Sequence, residues 1–132
     1  MTGPRYFTVE QANKTLPLVK RIVSDIMDEH RRWKENLFRY ELIAASSQAV
    51  KGEQPEQVEL QRQVDASAQR INGYITELSG IGCVFKGCEQ GLVDFYSRRD
   101  ERDVLLCWKL GEDQVEHWHE VDAGFDGRQT IV

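Results

Sequence analysis

Apolar residues recur along the first 81 residues in two long seams with alternating spacings of three and four. The first seam comprises Leu16, Val19, Val23, Ile26, His30, Trp33, Leu37, Tyr40 and Ala44. The second seam comprises Leu60, Val64, Ser67, Ile71, Tyr74, Leu78 and Ile81. This heptad spacing predicts one long helix over residues 16–48 and another from Pro55 to about Gly80. Because only a turn over residues 50–56 separates them, we expect a long antiparallel, coiled-coil-like helical hairpin.

A capping pattern precedes the first seam. Thr8 is a good N-cap residue, and Gln11 three residues later completes a capping box, which predicts a short helix over residues 9–14. Pro17 disfavours helical geometry at Leu16, so we expect the chain to bend there before the long helix begins.

From residue 82 the pattern changes to short runs that are rich in β-branched and aromatic residues. These runs span residues 83–85, 91–96, 103–110 and 115–121, and the segment after Asp126 adds a last edge strand. Short links between consecutive strands predict antiparallel pairing. The prediction is therefore an α+β fold in one domain over residues 1–132. The helical hairpin and the short N-terminal helix occupy 1–81, and a small antiparallel sheet occupies 82–132.

The first long helix has an apolar stripe that is wider than its seam. The widening residues are Leu18, Ile22, Met27, Phe38 and Ile43. A small sheet covers only one end of such a long rod, so the remaining apolar surface is expected to bury against a second copy. We therefore predict a homodimer that pairs through the helical seams, with another protein as a further candidate partner.

Composition and charge narrow the classes of function. The net charge is −5 and the sequence pI is about 5.2, so the chain should repel phosphate backbones and is not expected to bind nucleic acid. No apolar run approaches the roughly 18 residues that a membrane span needs. The N-terminal residues do not resemble a secretory signal, and three cysteines are too few for a disulfide scaffold. We expect a cytoplasmic protein without membrane contact.

The segment 116–128 holds the densest set of chemically reactive side chains. On a strand, His117 and His119 point to one face, while Trp118, Glu120 and Asp122 point to the other. Two imidazoles on one face can bind one metal ion, and the shell could be completed from neighbouring strands by Asp94, Cys107 or Glu89. The alternative is a partly exposed sheet face whose imidazoles hydrogen-bond locally.

The cysteines and His30 leave further alternatives open. Cys83 and Cys88 are spaced more widely than a zinc knuckle, and no second pair matches them. Cys107 lies in an apolar run and is expected to be buried, although a nucleophilic pair with His119 is an alternative. His30 interrupts the first seam either as a packing feature or as a pH-sensitive group at a dimer interface.

Three segments carry a family resemblance: FTVEQANKTLPLV, GLVDFYSRRD followed by VLLCWKLGE, and WHEVDAGFDGR. In this order they resemble a bacterial family known only as domain of unknown function 2203, and the match covers nearly the whole chain. The resemblance implies a small prokaryotic protein without an assigned activity or catalytic residue. Cys83, Cys88 and His117 are not part of the pattern. The residues that match it are Asp94, Arg98, Cys107, Trp108, Trp118, His119, Glu120, Asp122, Phe125 and Arg128.

Two functional hypotheses follow. The first is a homodimeric protein-interaction or scaffold module. The second is a metal-binding protein or small metal-dependent hydrolase, with its site on the C-terminal sheet. No cofactor is expected outside this second hypothesis. In its hydrolytic version His119 and Asp122 hold a divalent metal, and Glu120 acts as general base towards the bound water. That version needs a bulge, because His119 and Glu120 lie on opposite faces of a regular strand. Whether the protein is an enzyme stays open, and the candidate site comprises Asp94, Arg98, Cys107, Trp118, His119, Glu120, Asp122 and Arg128.

Overall fold

The computed structural model describes residues 4–46 and 52–131, which form two long helices followed by a five-stranded sheet. The α+β prediction is confirmed. The elements are α1 (Val9–Ser46), α2 (Pro55–Ile81), β1 (Val84–Gly87), β2 (Leu92–Arg99), β3 (Arg102–Lys109), β4 (His117–Glu120) and β5 (Gln129–Thr130), with one 3-10 turn at Phe125–Gly127. None of the helices in the described part of the chain is both long and apolar enough to cross a membrane.

The N-terminal end of α1 corrects one prediction. The capping box is present, since the Gln11 backbone N–H donates to Thr8 Oγ1 and the Thr8 N–H donates to Gln11 Oε1, each at 3.0 Å. The separate helix over residues 9–14 and the bend at Pro17 are wrong, because α1 runs continuously from Val9. Pro17 is exposed, whereas Leu16 and the residues one turn before and after it stay buried. Packing on this face outweighs the helical hydrogen bond that proline removes.

The two helices form the predicted hairpin. Tyr40 of α1 contacts Glu53, which lies just before α2, and Glu29 of α1 contacts Ser67 and Arg70 of α2. Later residues of α1 thus pair with earlier residues of the second segment, as expected for antiparallel helices. The predicted end of the first helix at residue 48 and the first residues of the turn lie outside the described residues. Among the described residues of α1, none after Glu29 is buried. The buried residues of α1 therefore all lie between Ala12 and Glu29.

Helix α2 ends at a glycine, as expected. Gly82 has φ 110°, a left-handed conformation, and its N–H donates to the carbonyls of Leu78 and Ser79. A Cβ at this position would lie 2.9 Å from Arg5 Cδ. The left-handed backbone conformation requires glycine here, and a Cβ would in addition displace the Arg5 side chain.

The sheet has the strand order β1-β2-β3-β4-β5 with every neighbouring pair antiparallel. Its inner face packs on α1 and α2. The residues of this inner face are Val93, Phe95, Val104, Leu106, Trp108 and Trp118, and they share one buried cluster with Leu16, Val19, Val23, Ile26 and Leu78. The helices thus cover one face of the sheet, and the candidate site lies on the other.

Candidate functional site

The outer face of the sheet, opposite the helices, brings together three polar residues from three strands. Asp94 on β2 lies directly across from Cys107 on β3, and His119 on β4 lies across from Leu105. Because side chains two residues apart on a strand share a face, His119 is a diagonal neighbour of Cys107 on that face. The central three strands therefore each contribute one side chain to a single cluster.

This cluster of Asp94, Cys107 and His119 is compact and almost fully shielded from solvent. One potential metal-binding atom from each residue lies within 4.8 Å of the others, and His119 Nε2 is 3.3 Å from Asp94 Oδ1. The three residues are 3%, 1% and 2% exposed, respectively. Within residues 4–46 and 52–131, no other three or more His, Cys, Asp or Glu side chains converge in this way.

A backbone contact orients the His119 ring. Its Nδ1 lies 2.8 Å from the carbonyl oxygen of Glu120, and a carbonyl oxygen only accepts hydrogen bonds. We therefore assign the proton to Nδ1, which directs Nε2 towards Asp94. Histidine ligands of metals commonly donate their other ring N–H to a carbonyl in this way, which fixes the tautomer and the ring orientation.

Burial dominates the electrostatics of the cluster. Desolvation raises the pKa of the Asp94 carboxyl, and the neighbouring His119 opposes this shift. Desolvation, reinforced by the charge of Asp94, raises the pKa of the Cys107 thiol to about 12. A thiol with that pKa holds its proton at neutral pH, so Cys107 is a poor nucleophile in the absence of a cation. A divalent cation would instead compensate a buried carboxylate and a buried thiolate together.

His117 and His119, the two histidines of β4, have different partners. His117 lies across from Cys107, but its Nδ1 is 2.5 Å from Arg128 Nη2, which donates to it. The same Arg128 nitrogen also donates to Glu112 Oε2 at 2.7 Å. The structure therefore separates His117 and Arg128, which form a polar group with Glu112, from His119, which joins the cluster.

Two other predicted site residues lie away from the cluster. Arg102 donates to both carboxylate oxygens of Glu120, at 3.0 and 2.6 Å, and these hydrogen bonds lower the pKa of the Glu120 carboxyl. Asp122 is exposed on the turn after β4. The structure therefore brings neither side chain to His119, and β4 has no bulge that would turn the Glu120 carboxylate to the outer face.

Trp118 and Arg98, the remaining candidate residues, make their contacts outside the cluster. Trp118 is buried on the inner face, with the Arg99 guanidinium 4.6 Å from its ring centroid. Arg98 donates to Asp103 Oδ1 at 3.1 Å and to the Glu101 carbonyl at 2.9 Å. Neither side chain contributes to the three-residue cluster.

The sequence analysis lists Asp94, Cys107 and His119 among its candidate residues but groups them differently from the structure. Asp94 and Cys107 were candidate additions to a His117–His119 pair, whereas the structure forms the group from His119 without His117. One signal could have identified it. Asp94 alternates along its strand with the apolar residues Val93 and Phe95, which face the helices, so Asp94 points to the outer face.

One comparison with known proteins identifies the family. The model of the family described as "Uncharacterized conserved protein (DUF2203)" matches residues 5–131. The chain therefore belongs to this family, and the resemblance stated from its sequence segments is confirmed. No curated protein and no solved structure matches the chain.

Proposed function

We propose that this member of an uncharacterised family binds one divalent transition-metal ion of the zinc class through Asp94, Cys107 and His119. The observation that carries the proposal is the convergence of these three side chains, from three strands, in a buried position. Buried polar groups of this kind are costly unless they are paired or bind a metal.

The distance between His119 and Asp94 suits such an ion. Zinc lies about 2.0–2.1 Å from nitrogen and oxygen ligands, so two ligand atoms in a tetrahedral site are about 3.3 Å apart. His119 Nε2 and Asp94 Oδ1 are 3.3 Å apart. A charge-assisted hydrogen bond between these groups would be shorter, at about 2.7–2.9 Å.

The donor set favours zinc, cobalt or a related ion over magnesium and calcium. Thiolate and imidazole are borderline or soft ligands, whereas magnesium and calcium prefer oxygen. Three protein ligands leave one tetrahedral position for water or a small anion.

The role we propose for the ion is to link the strands. It would join β2, β3 and β4, the three central strands, at residues that are nearly inaccessible to solvent. Glu120, the base of the hydrolytic hypothesis, is bound to Arg102 instead. The proposal therefore assigns the ion a stabilising role and no hydrolytic step.

Metal analysis of protein purified without a histidine tag tests the proposal. We expect about one equivalent of metal per chain and a lower melting temperature after chelator treatment. Cobalt substitution should produce a thiolate-to-cobalt charge-transfer band. Cys107→Ala should remove both the metal and the band, while Cys88→Ala, outside the cluster, should keep them. Metal-free protein that takes up no zinc or cobalt, or equal metal content in both variants, would refute the proposal.

A second candidate function, self-association, rests on a different surface. The distal hairpin, the part of the two helices at and beyond the level of Phe38, exposes Phe38, Leu42 and Val58 at 60%, 53% and 55%. The pairing of Tyr40 with Glu53 and of Glu29 with Ser67 places Phe38 and Val58 at the same level of the hairpin. We propose that a second copy of the chain covers this patch, since symmetric dimers are the commonest assemblies.

The mass in solution tests self-association. Light scattering at micromolar concentration should give twice the 15.3 kDa chain mass. Phe38→Glu should reduce the mass to that of one chain while the helical circular dichroism is retained. Val121→Glu, at an apolar position that is 53% exposed on the turn after β4, should not change it. A wild-type monomer at this concentration would rule out the dimer.

A further inference from the structure

A cavity at the junction of the hairpin and the sheet edge has the features of a ligand site. It has a volume of about 570 Å³ and is lined by α1 on one side and by β1 and the following turn on the other. Two smaller cavities, of about 290 and 230 Å³, also contact His30. Ligand sites for small molecules usually measure about 300–1,000 Å³, so the largest of these, the His30 cavity, has a suitable size.

Two aromatic rings line the His30 cavity. His30 and Trp33 stack with ring centroids 5.7 Å apart and an interplanar angle of 18°. Both residues lie in the heptad seam, yet both are only half-buried. An accessible aromatic surface of this kind binds planar rings, because bases of any identity stack on it.

Two lysines from different elements line the same cavity. Lys34 follows Trp33 on α1, and Lys86 lies on β1 where the register shifts between Phe85 and Gly87. Bulges of this type redirect a side chain and are frequent beside functional sites. Among the described residues neither lysine forms an ion pair, although the chain has a net charge of −5.

The turn after β1 supplies hydrogen-bond acceptors to the same cavity. Glu89 and Gln90 line the cavity and offer acceptors for hydroxyl groups. Glu89 also disfavours a ligand that consists only of negative charge. The lining thus combines an aromatic surface, two cations and hydroxyl acceptors.

We propose that the His30 cavity binds a nucleoside monophosphate, with the base against His30 and Trp33, the phosphate between Lys34 and Lys86, and the sugar hydroxyls at Glu89. The proposal concerns a small ligand, so the overall acidic charge, which opposes nucleic acid, does not oppose it. It shares no residue with the proposed metal site, although the charge of Lys86 also acts on the Asp94 carboxyl.

Titration of the full chain with AMP tests the proposal, and calorimetry and tryptophan fluorescence provide the readouts. We expect saturable binding with Kd below about 1 mM. Adenosine and inorganic phosphate should each bind at least about tenfold more weakly, since each lacks one of the two recognition elements. AMP should quench part of the fluorescence, and Trp33→Phe should remove that quenching, because the other two tryptophans are buried elsewhere.

Lysine variants locate the site. Lys34→Ala combined with Lys86→Ala should weaken AMP binding by about tenfold or more and reduce its salt dependence. Lys14→Ala removes an exposed lysine of α1 outside the three cavities and should leave binding unchanged. All of these side chains are at exposed positions, so the variants should fold. Absence of saturable AMP binding, or equal AMP affinity in the double variant and the wild type, would overturn the proposal.

Discussion

Replacement of Glu29 by Gln should remove a pH-dependent part of the stability of the hairpin. The Glu29 side chain is 4% exposed and accepts hydrogen bonds from Ser67 at 2.8 Å and from Arg70 and Arg32 at 2.9 Å each. Burial alone would raise the pKa of this carboxyl. The hydrogen bonds from Arg70, Arg32 and Ser67 outweigh burial and lower the pKa from 4.5 to about 2.

The sign of the effect follows from this lowered pKa. A carboxyl with a lower pKa in the folded state stabilises it fully above the unfolded value, and the contribution disappears as pH falls from about 5 towards 2. A shift of this size corresponds to about 3 kcal/mol. Arg32 and Arg70 are 59% and 53% exposed, so solvent screens part of the interaction, and we expect a loss of about 2 kcal/mol in Glu29→Gln at pH 7.

Urea unfolding, followed by circular dichroism at one protein concentration, measures this difference. Glu59→Gln is the matched control, because Glu59 also pairs with an arginine and also has its pKa lowered to about 2, but its side chain is 50% exposed. The control should be indistinguishable from the wild type at pH 7. The gap between Glu29→Gln and the wild type should be largest at pH 7, fall to less than half of that value by pH 3 and nearly close only around pH 2. Equal stability of the two variants at pH 7, or a gap that is unchanged at pH 3, would refute the assignment.

Three further predictions concern the backbone and the thiols. Gly82→Ala should destabilise the protein by about 1–2 kcal/mol in thermal unfolding, because φ is 110° and a Cβ would lie 2.9 Å from the Arg5 side chain. The control variant Gly80→Ala should be neutral or slightly stabilising, because no atom lies within 4 Å of its Cβ. Thr8→Ala should lower the free energy of unfolding in urea by about 1 kcal/mol, since it removes the capping box. In timed alkylation read by mass spectrometry, half-buried Cys88 should react before Cys107, whose pKa is raised to about 12 by burial; the reverse order would contradict the described burial.

The helices could be predicted from the sequence because their signals are local. The heptad spacing and the Thr8 capping box identify α1 and its first residue, and Pro55 and Gly82 delimit α2. The error at Pro17 shows the limit of such rules. A local rule assigns a bend to a proline, but it does not include the burial of Leu16 and its neighbours against the sheet, which keeps α1 continuous.

The candidate site was less predictable because it depends on register between strands. The alternation of side chains along a strand predicts that His119 and Glu120 lie on opposite faces of β4, and the structure agrees. The Glu120 carboxylate accepts hydrogen bonds from Arg102 and does not approach the His119 side chain. What alternation cannot supply is the offset between strands, since a shift of one residue would exchange the faces of all side chains. The pairing of Asp94 with Cys107 therefore emerged only in the assembled sheet.

The burial of the cluster's polar residues calls for an energetic explanation. A sheet face that is not covered by helices would normally carry polar side chains open to water, yet Asp94, Cys107 and His119 are almost completely buried there. The 3.3 Å contact between His119 and Asp94 is a weak compensation for a desolvated carboxyl, and Cys107 remains protonated at neutral pH. A bound cation would compensate all three groups at once. Under the proposed metal binding, removal of the metal should cost more stability than any single hydrogen bond in the cluster provides, because the desolvated Asp94 carboxyl would keep only its contacts with the neighbouring His119 and Cys107 side chains.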